Sequence, residues 1–234
     1  MLTRRKFCSC LLASLPLAAT PAFGEAMECA VFTDQRQNET SPKEAIELLR
    51  QGNERFVAGQ TINCDLMRQV HETANHQSPF AAIVGCIDSR VPPEIIFDQR
   101  IGDVFCARVA GNFVNDDILG SLEYATEVAG ARAIVVLGHS SCGAVKSAVD
   151  DVKMGHITNM LAQITPALEN LDGSEGPRSS SNTALVQKVA EEHARITAES
   201  LIRRSSILQK RHEAGNLLVV PAMHDIATGR VSWL

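Results

Sequence analysis

The sequence predicts an α/β protein. It has a mainly parallel central sheet, about four parallel strands plus a short C-terminal strand, flanked by helices and preceded by an N-terminal helical arm. Three observations predict this. Two apolar runs, Phe80-Ala81-Ala82-Ile83-Val84-Gly85 and Ala133-Ile134-Val135-Val136-Leu137-Gly138, are rich in β-branched residues and stop at glycine. Continuous rather than alternating hydrophobicity marks strands covered on both faces, as in parallel sheets. Stretches with apolar residues at helical spacing separate and follow these runs. The composition, 45% hydrophobic and 21% charged over 234 residues, suits one domain with a sizeable core.

The elements follow in order. Thr3-Arg4-Arg5-Lys6-Phe7-Cys8 sets three cations before a Leu/Ala-rich stretch, and Pro21-Ala22-Phe23-Gly24 supplies small residues for cleavage. Residues 1–24 are therefore expected to be a signal peptide, too short to span a bilayer. The paired Arg4 and Arg5 resemble a twin-arginine signal, so the expected address is the periplasm, with no membrane association after signal removal. Loss of Arg4, Arg5 and Lys6 moves the net charge from −5 to −8. Residues 25–40 read as an irregular segment, and 41–234 as the folded domain.

A helix is expected over 42–58, with Ser41 as N-cap, Pro42 at its first position, and Ala45, Leu48, Leu49 and Phe56 on one face. Strands are expected at 80–86, 103–108, 132–138, 216–222 and 230–234. Helices are expected at 117–129, 142–154 and 183–209, the last carrying Leu185, Val189, Ile196, Leu201 and Ile202. Residues 173–181 form a polar, breaker-rich loop. An acidic balance with no basic stripe excludes a nucleic-acid footprint.

The chemistry sits where the two apolar runs stop. Cys86-Ile87-Asp88-Ser89-Arg90 follows the first, and His139-Ser140-Ser141-Cys142 follows the second. Ligands of open α/β sheets bind at the carboxyl ends of strands. Taken singly, Cys86 and Cys142 read as buried thiols, His139 as a structural imidazole, and Asp88 with Arg90 as an ion pair. Together they would bring two thiols, one imidazole and one carboxylate from two strand ends into one place, a donor set that suits tetrahedral zinc. In a turn after the strand, Asp88 and Arg90 can pair bidentately, which would hold Asp88 off the metal.

These two motifs resemble the β-class carbonic anhydrases, whose signature is Cys-x-Asp-x-Arg followed by His-x-x-Cys. The resemblance extends over about residues 41–234, through Gln77-Ser78-Pro79, Gly102-Asp103-Val104-Phe105, Arg108-Val109-Ala110-Gly111-Asn112 and Ser121-Leu122-Glu123-Tyr124-Ala125. It implies a zinc enzyme that hydrates CO2 reversibly to bicarbonate and a proton, by attack of zinc-bound hydroxide. It further implies one Zn2+ per subunit on Cys86, His139 and Cys142, with Asp88 as an alternative fourth ligand. Asp88 and Arg90 would be the catalytic pair, and Gln77, Phe105, Tyr124 and Gly143 the substrate-binding residues. A pocket completed by a second subunit implies a homodimer or a tetramer of dimers. Two other readings stand beside this one: hydrolysis of CS2 or COS on the same zinc framework, and a non-catalytic zinc-binding protein. His224 stands where relatives often carry Tyr, and Ile83 where some bacterial relatives carry a Trp linked to a regulatory bicarbonate site.

Of the seven cysteines, Cys8 and Cys10 fall in the signal, Cys86 and Cys142 are candidate ligands, and Cys106 reads as a buried core thiol. Cys29 and Cys64 are left, and an oxidising compartment would permit a disulfide between them.

Overall fold

Five strands form one sheet in the order β2-β1-β3-β4-β5 in a computed structural model, which describes residues 29–62, 64–171, 173 and 176–234. The strands are β1 (Ala81–Gly85), β2 (Val104–Arg108), β3 (Ala133–His139), β4 (Leu218–His224) and β5 (Val231–Trp233). The first four run parallel, and β5 pairs antiparallel with β4. The expected signal, residues 1–24, lies outside the described residues. Among those residues, no helix is long and apolar enough to cross a membrane.

The continuous apolar runs have the two-sided burial they imply. Ala82, Val84, Ile134 and Val136 point into one apolar cluster, while Ala81, Ile83, Ala133, Val135 and Leu137 point into the other. Full burial of each larger side chain here is worth about 1.5–3 kcal/mol. On the second face lies α2 (Pro42–Ala58), behind a reciprocal cap in which Ser41 Oγ accepts from Glu44 N–H and Glu44 accepts from Ser41 N–H. Such a cap contributes about 1 kcal/mol. The first face is covered by α5 (Asp116–Glu123), α6 (Gly143–Val149) and α9 (Thr183–Arg204). Gly138 leaves room for the neighbouring strand's Met223, since a Cβ there would lie 2.6 Å from Met223 Sδ.

Several boundaries differ from expectation, each for a local reason. Residues 25–40 are not all irregular. Thr33 accepts from Arg36 N–H and starts α1 (Asp34–Glu39), and Phe32 stacks at 4.8 Å on Phe80 within the core. A disulfide joins Cys29 to Cys64, just ahead of α3 (Leu66–Thr73), so the folded unit begins before residue 41. Residues 117–129 begin as α5 but widen into a π-helical turn, Tyr124–Val128. In 142–154 the α6 helix ends at Val149, because Asp151 adopts a left-handed φ of 53°, and α7 (Gly155–Leu161) follows. Residues 183–209 break at the extended Ser205, whose hydroxyl caps α10 (Ser206–Glu213). The remaining short helices are α4 (Pro93–Ile96) and α8 (Thr165–Glu169).

Candidate metal centre

Strand register builds the site. Gly85, the last residue of β1, is level with Leu137, so Cys86 leaves the sheet beside the final residues of β3, where His139 stands. Ser140 and Ser141 then turn the chain, Ser141 in the left-handed region at φ 55°, and Cys142 arrives as the extended N-cap of α6. The donor atoms of Cys86, His139 and Cys142 all lie within 4.8 Å of one another, and all three residues are buried.

The imidazole is set for a ligand. His139 Nδ1 lies 3.0 Å from the Ser140 carbonyl, which can only accept, so Nδ1 carries the proton. Nε2 then keeps its lone pair, and although buried it has no hydrogen-bond partner. An orphaned buried nitrogen facing two sulfurs fits a metal, because liganding histidines characteristically donate their other N–H to a carbonyl or carboxylate. Two thiolates and one imidazole select zinc over the oxygen-preferring cations and leave a fourth position open. Cys86 is pushed down to about 4, chiefly by the hydrogen bond from the Cys142 thiol and further by those from the backbone N–H groups of Gly111 and Asp88. Cys142 is pushed up by the adjacent Cys86 sulfur and by burial. These hydrogen bonds favour the thiolate form of Cys86, the form that metal ligation requires.

Asp88 and Arg90 converge in the turn. Arg90 Nε donates to Oδ1 at 2.9 Å, Nη2 to Oδ2 at 2.7 Å, and the Arg90 backbone N–H to Oδ1 at 3.0 Å. This fork holds the Asp88 carboxyl well below the usual carboxylate range. Oδ2 remains 3.9 Å from His139 Nε2, so the carboxylate faces the triad while bound to Arg90. Arg108 braces the same loop by donating to the carbonyls of Cys86 at 2.9 Å and Asp88 at 2.7 Å.

Of the other expected residues, Gly143 directly follows Cys142, whereas Phe105, Tyr124 and Gln77 line clefts that contain no triad residue. Phe105 and Tyr124 meet edge to face at 6.5 Å and line a cavity of about 670 Å³ on the outer side of β2. Gln77 is exposed in a different cleft, beside Thr73 and Gly102. Gly143 opens α6 with free space where a Cβ would be. Cys106 is only partly buried, since β2 is an edge strand, and burial with Glu94 alongside pushes its thiol up. Sequence reasoning missed Arg108 as a brace and His193, whose Nε2 lies 2.7 Å from the Gly111 carbonyl. The motif around Arg108 was visible; nothing in the helical pattern singled out His193. His224 pairs in register with His139, and burial keeps its imidazole toward the neutral form.

Comparison with known proteins agrees with this geometry. The family model described as carbonic anhydrase matches residues 81–231. The chain is 35% identical over 205 residues to "Carbonic anhydrase 2" of Mycobacterium tuberculosis, covering 82% of this chain and 92% of that protein. It is 38% identical over 199 residues to the carbonic anhydrase of Mycolicibacterium smegmatis, covering 82% and 93%. In fold it resembles a tetrameric β-carbonic anhydrase of Sordaria macrospora, with a TM-score of 0.60 and 24% identity over 72% of this chain and 90% of that one.

Proposed function

This chain belongs to the β-class carbonic anhydrases, and we propose that it catalyses the reversible hydration of CO2 to bicarbonate and a proton, using one zinc ion per subunit held by Cys86, His139 and Cys142. The observation that carries the reading is the buried convergence of these three donors beside an Asp88 already paired to Arg90. Zinc in such a site supplies Lewis acidity, which turns water into a nucleophile near neutral pH; carbonic anhydrase is itself the general illustration of this effect.

The protein's own groups do the rest. Asp88, ionised because Arg90 holds it, accepts a hydrogen bond from the nucleophilic water and orients its lone pair toward CO2. Arg90 keeps the carboxylate from taking the fourth ligand position; a carboxylate released from Arg90 would compete with water there. A purely structural zinc site favours four permanent Cys or His ligands, and the Asp88–Arg90 pair argues against that use.

We place the substrate wall at a subunit boundary. Phe105 of edge strand β2 and Tyr124 of the π-helical turn line one cavity, and Tyr124 and Val128 are exposed. A second copy docking along this edge would bring its Phe105 and Tyr124 to the partner's metal centre, with Gln77 orienting a CO2 or bicarbonate oxygen and the Gly143 N–H facing it. The export reading rests on residues 1–24, and the Cys29–Cys64 disulfide suits an oxidising compartment. Replacing Arg4 and Arg5 by lysine should leave precursor in the cytoplasm; unchanged export would favour the general secretory route.

Stopped-flow CO2 hydration with a pH indicator tests the catalytic reading. The zinc-loaded protein should accelerate proton release from dissolved CO2. No acceleration, or turnover of CS2 or COS without turnover of CO2, would overturn it.

A further inference from the structure

Helix α9 lies outside both motifs, yet one turn of it reaches the two segments that carry metal ligands. Ala190 and Ala194 border Gly138, where a Cβ would lie 3.5 Å from Ala190 O and 3.6 Å from Ala194 Cβ, so this turn sets the strand that ends in His139. Between them, His193 is 2% exposed and reaches across 82 residues of sequence to the Gly111 carbonyl at 2.7 Å. A carbonyl only accepts, so His193 Nε2 carries the proton and donates. Gly111 in turn donates its own N–H to Cys86 Sγ at 3.3 Å.

We propose that His193 is a positioning residue for the metal centre, fixing Gly111 so that its N–H is aimed at the Cys86 sulfur. The inference rests on the reading that Cys86 holds a metal. Gly111 has little freedom otherwise. It sits in the left-handed region at φ 80°, and a Cβ on it would lie 2.7 Å from Ile164 Cδ1 and 3.3 Å from Ala144 Cβ. Ala144 is two residues past Cys142, so Gly111 is packed against one thiol ligand's helix while bonded to the other thiol ligand. The next residue, Asn112, is also left-handed at φ 43° and donates to Val109 O at 3.0 Å. Among the described residues, the side chain that reaches the Gly111 carbonyl from a separate element is His193.

The chemistry favours this role over plain packing. His193 sits on the face of α9 that buries Val189, Ala190 and Ala194, where an apolar residue would fill the space without desolvating an imidazole. Burial pushes its imidazole down, so it remains a neutral, single-proton donor. A hydrogen bond to a liganding sulfur fixes its orientation and withdraws charge from it, and loss of such outer partners weakens metal binding about 10- to 100-fold.

The test uses the full-length protein loaded with cobalt(II), whose thiolate charge-transfer band reports on the sulfur ligands. Wild type is compared with His193→Gln, His193→Asn and His193→Leu. Glutamine can set an amide N–H near the imidazole Nε2 position, whereas asparagine is polar but too short. His193→Gln should keep the wild-type band and release cobalt to a chelator within about twofold of the wild-type rate. His193→Asn and His193→Leu should shift the band and release the metal about tenfold faster. Folded Asn and Leu variants with wild-type band and release would overturn the proposal, whatever their thermal stability. If neither folds, His193→Gln decides: wild-type values support the role, and altered values overturn it. Wild type that takes up no cobalt would instead refute the metal reading, and this inference with it.

Discussion

Strands β1 and β2 are neighbours of equal length in parallel register, yet their cysteines have opposite fates. Burial raises both thiols. Beyond the end of β1, Cys86 meets donors, namely the Cys142 thiol and the backbone N–H groups of Gly111 and Asp88, and it falls to about 4. Within β2, Cys106 meets the Glu94 carboxylate and is pushed up. Position explains the contrast. A strand in the middle of the sheet ends where a second strand end can deliver partners, while an edge strand has neighbours on one side only. A buried cysteine is therefore functional through the donors aimed at it, not through its burial.

That contrast can be broken in stages. The largest effect is expected from Gly111→Ala, which forces a side chain into a left-handed position against Ile164 and Ala144. It should destabilise the fold by about 3 kcal/mol, read by urea unfolding, and disturb the donor to Cys86. Next comes Arg90→Ala, which frees Asp88 to reach the metal. CO2 hydration should fall about a hundredfold with metal content near that of wild type; equal loss of metal would make the pair a brace instead of a gate.

The sequence carried these two strands unevenly. Continuous runs announced β1 and β3 because both faces are covered, and the motifs after them located Cys86, Asp88, Arg90, His139 and Cys142. Edge strand β2 was found, but its half-exposure was not, since nothing in Val104-Phe105-Cys106-Ala107 says which neighbour is missing. The break at Ser205 was hidden within one helical period, because its cause is a capping hydroxyl bonded to the distant Glu123. His193 escaped for the same reason: its partner is 82 residues away.

Smaller effects sharpen the comparison. Because Arg90 depresses Asp88, the pair's contribution to stability is present above the ordinary carboxylate range and is lost only as pH falls through the lower folded value. The stability difference between wild type and Asp88→Asn should thus stay constant from about pH 8 to 5 and shrink below about pH 4, as followed by urea unfolding at each pH. Smallest of all, Cys106→Ala should leave metal content unchanged and CO2 hydration within about twofold, since among the described residues that thiol is not part of the metal-competent cluster.

Metal content tests the central claim most directly. Elemental analysis of the purified protein should find one zinc per chain in wild type and essentially none in Cys142→Ala, with hydration activity lost in step. A wild type without zinc, or a Cys142→Ala protein that keeps both its zinc and its activity, would contradict the assignment of Cys86, His139 and Cys142 as the metal site.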